Sequence, residues 1–285
     1  MDDCSAKKVQ DVVTKPEVIA RPELTMVAED FDKIETQIAP LKGRVSSNPK
    51  TAAVILAGGV GERFGNPGGK QMAKILGKPL LTWSAEAFDA VPDVGLIVVV
   101  CPEDRREEYC REAIDPYPFV TPITLAQSGE LRQESSFSGV MKVPDDYDII
   151  AIHDGARPLV TPELIMHCIS AVKGNTDIDG AVAGHPAIDT LKVVSDGMII
   201  GTPDRGAFWV AQTPQVFRSE IIREAHTTAL AEGFIGTDDS SIVERIGGAV
   251  SFVNGPRDNI KVTVPEDLSP AEAALMKRLQ EEDRI

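Results

Sequence analysis

Cations are scarce in this chain of 285 residues: 29 Lys and Arg stand against 44 Asp and Glu, for a formal net charge of -15. A surface that grips DNA or RNA through many phosphates needs a local excess of Lys and Arg, so the composition argues against a nucleic-acid partner. A small anionic ligand stays open, because a few cations in one pocket can hold it. The four cysteines, Cys4, Cys101, Cys110 and Cys168, show neither CxxC nor zinc spacing and read as reduced residues of a cytosolic protein. No stretch approaches the roughly 20 apolar residues of a membrane helix. The start, Met1-Asp2-Asp3-Cys4, lacks the cationic and apolar pattern of a secretory signal. Together these absences predict a cytoplasmic protein with no membrane partner.

What is present has the texture of a folded globular protein. An apolar fraction of 42% supplies a core for one large α/β domain or two small ones. Residues 1–50 mix charges with Pro16, Pro22, Pro40 and Pro49 and carry little periodicity, which predicts a partly ordered N-terminal extension. From Thr51 onward, short apolar runs at Ala52–Ala57, Leu96–Cys101, Ile149–Ile152 and Gly180–Ala183 are too short for buried helices and read as parallel strands covered on both faces. Helical patterns lie between and after them, at Leu80–Ala90, Pro102–Ile114, Glu130–Lys142, Pro162–Val172 and Arg218–Glu232, with a closing helix from Pro265 to about Gln280. Strand-helix alternation predicts an α/β fold with a doubly wound, mostly parallel sheet, whose ligands sit at the carboxyl ends of the strands. One stretch departs from the rhythm. Asp189–Gly201 holds two β-prone runs joined by Ser195-Asp196-Gly197, the signature of an inserted β-hairpin arm at about 187–206. Residues 51–285 then form one domain that includes the arm.

The first segment with chemical content is Leu56-Ala57-Gly58-Gly59-Val60-Gly61-Glu62-Arg63-Phe64, followed by Gly68-Gly69-Lys70-Gln71. Glycines after a strand let backbone amides approach a phosphate chain, although such a turn also serves as plain punctuation. The segment has no GKS or GKT ending and no GxGxxG spacing, which excludes the P-loop and the dinucleotide fingerprint. Arg63 and Lys70 stand on the loop instead. Attack on an α-phosphorus puts extra charge on its oxygens, and fixed cationic donors that meet this charge lower the barrier.

Further along, Ile149–Ile152 ends in His153-Asp154-Gly155-Ala156-Arg157. This places Asp154 at the sheet's carboxyl edge, where it can help hold Mg²⁺, and lets Arg157 reach a phosphate; Asp-Gly is equally a simple turn. His153 reads as structural, because a phosphate nucleophile is already ionised and needs no base. Arg205, just beyond the hairpin, and Lys261, expected on a short strand, could deliver a phosphorylated acceptor.

Taken together, these segments resemble the 2-C-methyl-D-erythritol 4-phosphate cytidylyltransferase family and its relatives that make CDP-ribitol, over about Thr51 to Leu275, with the motifs in the family's order. The resemblance implies a homodimeric nucleotidyltransferase that uses CTP, a small phosphorylated polyol and a divalent metal. Under it, Ala57, Gly58, Gly59 and Gly61 bind the CTP phosphates and base, with Arg63 and Lys70 stabilising the transition state. Ser128–Ser135 matches the nucleotide segment, so Gly129 and Ser135 contact the cytosine or ribose side and Arg132 supports the site. Asp154 places the metal, Lys261 touches both substrates, and Thr213 joins the substrate-binding set. Asp189, Thr190 and Arg205 belong to an arm that reaches a neighbouring subunit. The loop reads Leu-Ala-Gly-Gly where many family members have Ala-Ala-Gly, and Ala187–Thr190 also resembles the ribitol-phosphate branch. Ribitol 5-phosphate is therefore the alternative acceptor, and a catalytically silent nucleotide-binding protein is the alternative outside the enzymes.

Overall fold

The computed structural model describes residues 51–59, 64 and 69–282. The expected N-terminal extension, Gly61 and Arg63 lie outside the described residues. By contact the described chain divides into two units, the arm Ala187–Phe208 and the body that flanks it in sequence.

The body is built on strand β1 (Thr51–Leu56), whose side chains alternate between two cores. Ala53 and Ile55 enter one apolar cluster, and Ala52, Val54 and Leu56 enter another. A strand buried on both faces reads in sequence as a continuous apolar run, the texture that marked it. A small hairpin, β2 (Lys74–Ile75) and β3 (Lys78–Pro79), leads into helix α1 (Leu80–Asp89) and then β4 (Val94–Cys101). Next come α2 (Arg106–Tyr109), prolonged by a π-turn over Cys110–Ile114, then β5 (Ile123–Gln127), α3 (Arg132–Lys142), β6 (Ile149–Asp154), α4 (Pro162–Gly174) and β7 (Gly180–Pro186).

After the arm the body resumes with β10 (Trp209–Arg218), α5 (Ser219–Glu232), α6 (Asp239–Arg245), β11 (Val250–Asn254) and α7 (Leu268–Glu282). The seven-stranded sheet runs β11-β7-β10-β6-β1-β4-β5. Every pairing in it is parallel except those of β10, which runs antiparallel to both β6 and β7. The expected doubly wound, mostly parallel sheet is therefore the fold. Residues of α1 and α4 pack in the first cluster, and those of α3, α5 and α6 in the second. A third cluster joins α7 to Phe64, Leu80, Leu159 and Val262.

Apart from a short strand expected at Lys261, the expected strands and helices are present, and three elements of the sheet layer were not anticipated. Edge strands β5 and β11 are only partly buried, so they lack the solid apolar run of the central strands. The interior of β10 is polar, with Gln212, Thr213 and Gln215 all buried. Each is hydrogen-bonded: Gln215 Nε2 donates to Asp238, and Gln215 Oε1 accepts from the amides of Asp239 and Ser240. Satisfied polar groups can sit in a core, but hydrophobic patterning does not register them. One placement needs correcting. Lys261 is not on a strand; it lies in a non-helical stretch between β11 and α7, where the next residue's amide donates to Ala156 O at 2.8 Å.

The arm carries strands β8 (Val193–Ser195) and β9 (Met198–Gly201). Asp196 and Gly197 take φ of 50° and 77°, the left-handed pair that a two-residue hairpin turn requires. Val194, Met198 and Ile199 are 57, 69 and 63% exposed. Among the described residues no helix is long and apolar enough to cross a membrane.

Candidate active site

Strands β1 and β6 lie side by side and in register, with Leu56 opposite Asp154, so the glycine turn after one strand and the carboxylate ending the other emerge at the same sheet edge. Gly58 meets the loop after β5 closely: a Cβ there would fall 2.1 Å from Ser128 Cβ. Gly129 is equally confined, because a Cβ would fall 2.3 Å from Glu134 Cβ. Its amide donates to Ser135 Oγ at 3.1 Å, and the amides of Glu130 and Leu131 donate to Glu134 Oε2 at 2.8 and 3.1 Å. These bonds satisfy backbone donors at the start of α3 and fix the segment against it.

Between the two loops opens a cavity of about 260 Å³. Gly58, Gly59, Gly129 and Ser135 form its glycine-rich side, and Lys70, Arg132, Asp154 and Lys261 bring charge to it. A second cavity of about 290 Å³ lies across Asp154, with Arg157, Gln212, Thr213, Thr237 and Asp238 in its walls. Arg132, Asp154 and Lys261 line both.

Asp154 organises this partition. Its Oδ2 is 2.7 Å from Lys261 Nζ and 3.6 Å from Arg157 Nε, and its Oδ1 accepts from Arg132 Nε at 3.3 Å. Burial pushes the Asp154 carboxyl upward, but the Arg132, Lys261 and Arg157 charges outweigh it and hold the group well below the usual carboxylate range. The wall between the cavities is therefore an ionised carboxylate inside a cluster of cations. Arg157 is anchored through its Nη1 to Asn259 O at 2.8 Å. Its Nε, at 3.6 Å from Asp154, forms an ion pair rather than a hydrogen bond.

His153 is fully buried, with Nδ1 3.0 Å from Thr213 Oγ1 and Nε2 3.3 Å from Arg157 O. Burial drives its pKa down to about 3, so the ring is neutral and braces the site, as its sequence context suggested. Thr213 Oγ1 also accepts the Asp154 amide at 3.1 Å, which commits that hydroxyl to holding Asp154. Ala57 is buried beneath the turn, where its carbonyl accepts from Tyr109 OH at 2.8 Å. Asp189, Thr190 and Arg205 are exposed on the arm, where the Arg205 guanidinium donates to Ile188 O. Thr237 and Asp238 went unnoticed in the sequence, although Gly236-Thr237-Asp238 just before α6 is a capping signal that could have drawn attention.

The model of the 2-C-methyl-D-erythritol 4-phosphate cytidylyltransferase family matches residues 51–277. The chain belongs to this family. The cytidylyltransferase of that name from Caldanaerobacter subterraneus subsp. tengcongensis is 45% identical over 229 residues, 79% of this chain and 99% of the relative. The one from Syntrophotalea carbinolica is 43% identical over 223 residues, 78% of this chain and 94% of the relative. Among solved structures, 4-diphosphocytidyl-2C-methyl-D-erythritol synthase from Anaerococcus prevotii superposes with a TM-score of 0.69 at 27% identity, covering 79% of this chain and 98% of that one.

For a cytidylyltransferase, the donor set suits a hard divalent ion held largely by its substrate. Among the described residues no three His, Cys, Asp or Glu side chains cluster as a metal cage. Mg²⁺ commonly needs only one or two carboxylates plus substrate phosphates, and Asp154, ionised at the shared wall, fits that demand.

Proposed function

We propose that this chain transfers CMP from CTP to 2-C-methyl-D-erythritol 4-phosphate and releases pyrophosphate, with residues 51–285 acting as one nucleotidyltransferase unit. One observation carries the reading beyond the family relationship: two cavities share a single wall of Asp154, Arg132 and Lys261. A transfer between two phosphorylated molecules needs two such compartments with cations common to both.

In this reading CTP occupies the cavity walled by Gly58, Gly59, Gly129 and Ser135, and the acceptor phosphate occupies the one walled by Arg157 and Thr237. An oxygen of the acceptor phosphate forms a bond to the α-phosphorus while the bond to the β-phosphate oxygen breaks, and pyrophosphate carries away that electron pair. No base is required, because the nucleophile is already ionised; both ring nitrogens of the buried His153 are engaged by Thr213 Oγ1 and Arg157 O. Lys70, Lys261 and, from the loop, Arg63 meet the charge that develops on the phosphorus oxygens, a role for which one donor is typically worth about 2.7–4 kcal/mol. Mg²⁺, held by Asp154 and the triphosphate, would neutralise phosphate charge there. Asp189, Thr190 and Arg205 serve the acceptor phosphate from the arm of a second copy, and the exposed apolar face of the hairpin supports a homodimer.

Pyrophosphate release is the test, measured for each of the four ribonucleoside triphosphates with methylerythritol phosphate and with ribitol 5-phosphate. Turnover should require CTP and methylerythritol phosphate. Turnover with UTP alone would reject the base, turnover with ribitol 5-phosphate alone would reject the acceptor, and CTP binding without any turnover would indicate a silent protein.

A further inference from the structure

Asp239 opens α6, is 1% exposed and lines neither cavity. A buried carboxylate away from a ligand is costly unless its lone pairs are filled, and here they are. Its Oδ2 accepts from Arg132 Nη1 at 2.8 Å; its Oδ1 accepts from Ser136 Oγ at 2.5 Å and lies 3.4 Å from His226 Nε2. The partners come from different helices, Arg132 and Ser136 from α3 and His226 from α5. Asp239 is itself fixed, since its amide and that of Ser240 donate to Gln215 Oε1 at 3.1 and 3.2 Å. Gln133 ties the preceding loop to α3 as well, donating to Phe234 O and accepting from the Gly236 amide.

The consequence falls on Arg132, whose side chain is 31% exposed and faces both cavities. Its bond to Asp154 is long, 3.3 Å, and one such contact leaves the guanidinium plane free to pivot. A second, shorter bond to a buried carboxylate removes that freedom. The one guanidinium thus bridges Asp154 in the cavity wall and Asp239 behind it.

We infer that Asp239 is a positioning residue for the nucleotide site: anchored by Ser136, His226 and Gln215, it sets the orientation in which Arg132 meets CTP. The inference rests on the proposed transfer reaction and deepens it.

The test is a double-mutant cycle on the full chain with Asp239→Asn and Arg132→Ala, which reads the CTP dissociation constant by calorimetry and KM and kcat by pyrophosphate release, with thermal melts as a check on folding. Asp239→Asn should weaken CTP binding about 10- to 100-fold, the scale of one charge-assisted hydrogen bond. In the Arg132→Ala background the same change should add less than about 2-fold, because the residue it positions is gone. A purely structural Asp239 would lower the melting temperature and leave the constants of the folded protein unmoved, or add its full effect in both backgrounds; either result overturns the inference. If Asp239→Asn does not fold, Ser136→Ala loosens the same carboxylate and should weaken CTP binding about 3-fold or more, again only when Arg132 is present; unchanged binding overturns the inference. A wild-type protein that binds CTP without releasing pyrophosphate would refute the transfer alone, since the binding cycle still reads Asp239, whereas one that binds no CTP would refute both.

Discussion

Lys261 Nζ lies 2.7 Å from Asp154 Oδ2, so the carboxylate in the wall common to both cavities is already paired with the cation expected to touch both substrates. The two partners should respond differently to removal. Lys261→Ala leaves Asp154 beside Arg132 and Arg157, so the fold should hold while kcat/KM falls about 10²–10³-fold. Asp154→Asn leaves three cations crowded around a neutral group and should cost about 3–5 kcal/mol of stability in addition to activity. Urea denaturation of both variants checks the order; a Lys261→Ala protein less stable than Asp154→Asn contradicts it.

The buried ring beside Asp154 makes stability depend on pH in a predictable direction. His153 titrates near 3 in the folded chain and near about 6.5 when unfolded. The unfolded state therefore binds the proton first. Its contribution is fully present above about pH 6.5 and declines as pH falls towards 3, by up to about 1.4 kcal/mol per pH unit. Asp154 has the opposite chemistry and a lower window: its folded pKa is depressed, so its stabilisation persists down to the unfolded value of about 3.9 and fades only below it. Between pH 6.5 and 4 the histidine is the one of the two that acts. Urea midpoints at pH 7 and pH 5 should move less for His153→Asn than for the natural chain; equal shifts would remove His153 as the cause.

Central strands and glycine turns were legible in the sequence because burial on two faces and close backbone approach leave compositional marks. Gly58 and Gly129 fall where added Cβ atoms would overlap neighbours, and Asp154 ends β6 at the sheet edge. What stayed hidden is the polar interior. Gln212, Thr213 and Gln215 fill the middle of β10, and Asp239, Ser136 and His226 lie in the helix layer. Their pairing depends on contacts separated by up to 103 residues, for which no local period exists. Thr237 and Asp238 were missed for another reason: Asp238 carries a local mark as the N-cap of α6, but a capping signal says nothing about a cavity. Lys261, read as a cation that could deliver the acceptor, lines both cavities but was wrongly read as a strand residue, since Ile260-Lys261-Val262-Thr263 alternates like a strand but has no ladder partner in this fold.

Gly58 offers a steric test of the loop-to-loop approach. Gly58→Ala would set a methyl against Ser128 Cβ, and overpacking of this kind costs about 1–3 kcal/mol. The loops should part, and CTP affinity should fall by about 10-fold or more. Adding Ser128→Gly removes the obstructing atom and should restore most of the binding. Calorimetric titration of the single and double variants decides it: no recovery in the double variant would mean that Gly58 matters for backbone freedom and not for space.

Lys70 stands on a short 3₁₀ turn after Gly69, whose φ of 71° suits glycine, and it lines the same cavity as Asp154. A donor aimed at charge that appears only during transfer should alter the rate more than the affinity. Lys70→Ala should lower kcat about 10²–10³-fold while the CTP dissociation constant changes less than about 5-fold. Equal losses in binding and rate would recast Lys70 as a ground-state phosphate ligand.

The arm exposes Val194, Met198 and Ile199 on a hairpin of only two short strands, and a two-stranded hairpin has marginal stability by itself in water. An apolar face on such an element calls for a covering surface, and the proposed dimer supplies it from a second copy. Ile199→Glu places a charge on the face that Ile199 shares with Val194 across the hairpin, at a desolvation cost that no partner surface of apolar character can offset. Sedimentation velocity should then show the natural chain as a dimer and the variant as a monomer. The described residues lining the cavity proposed for CTP all belong to the body, so nucleotide affinity should survive the change. The acceptor's KM should rise by about 10-fold or more, because Arg205 would no longer reach its phosphate from the other copy. A monomeric variant with an unchanged acceptor KM would confine the arm to assembly and leave the acceptor site within one chain.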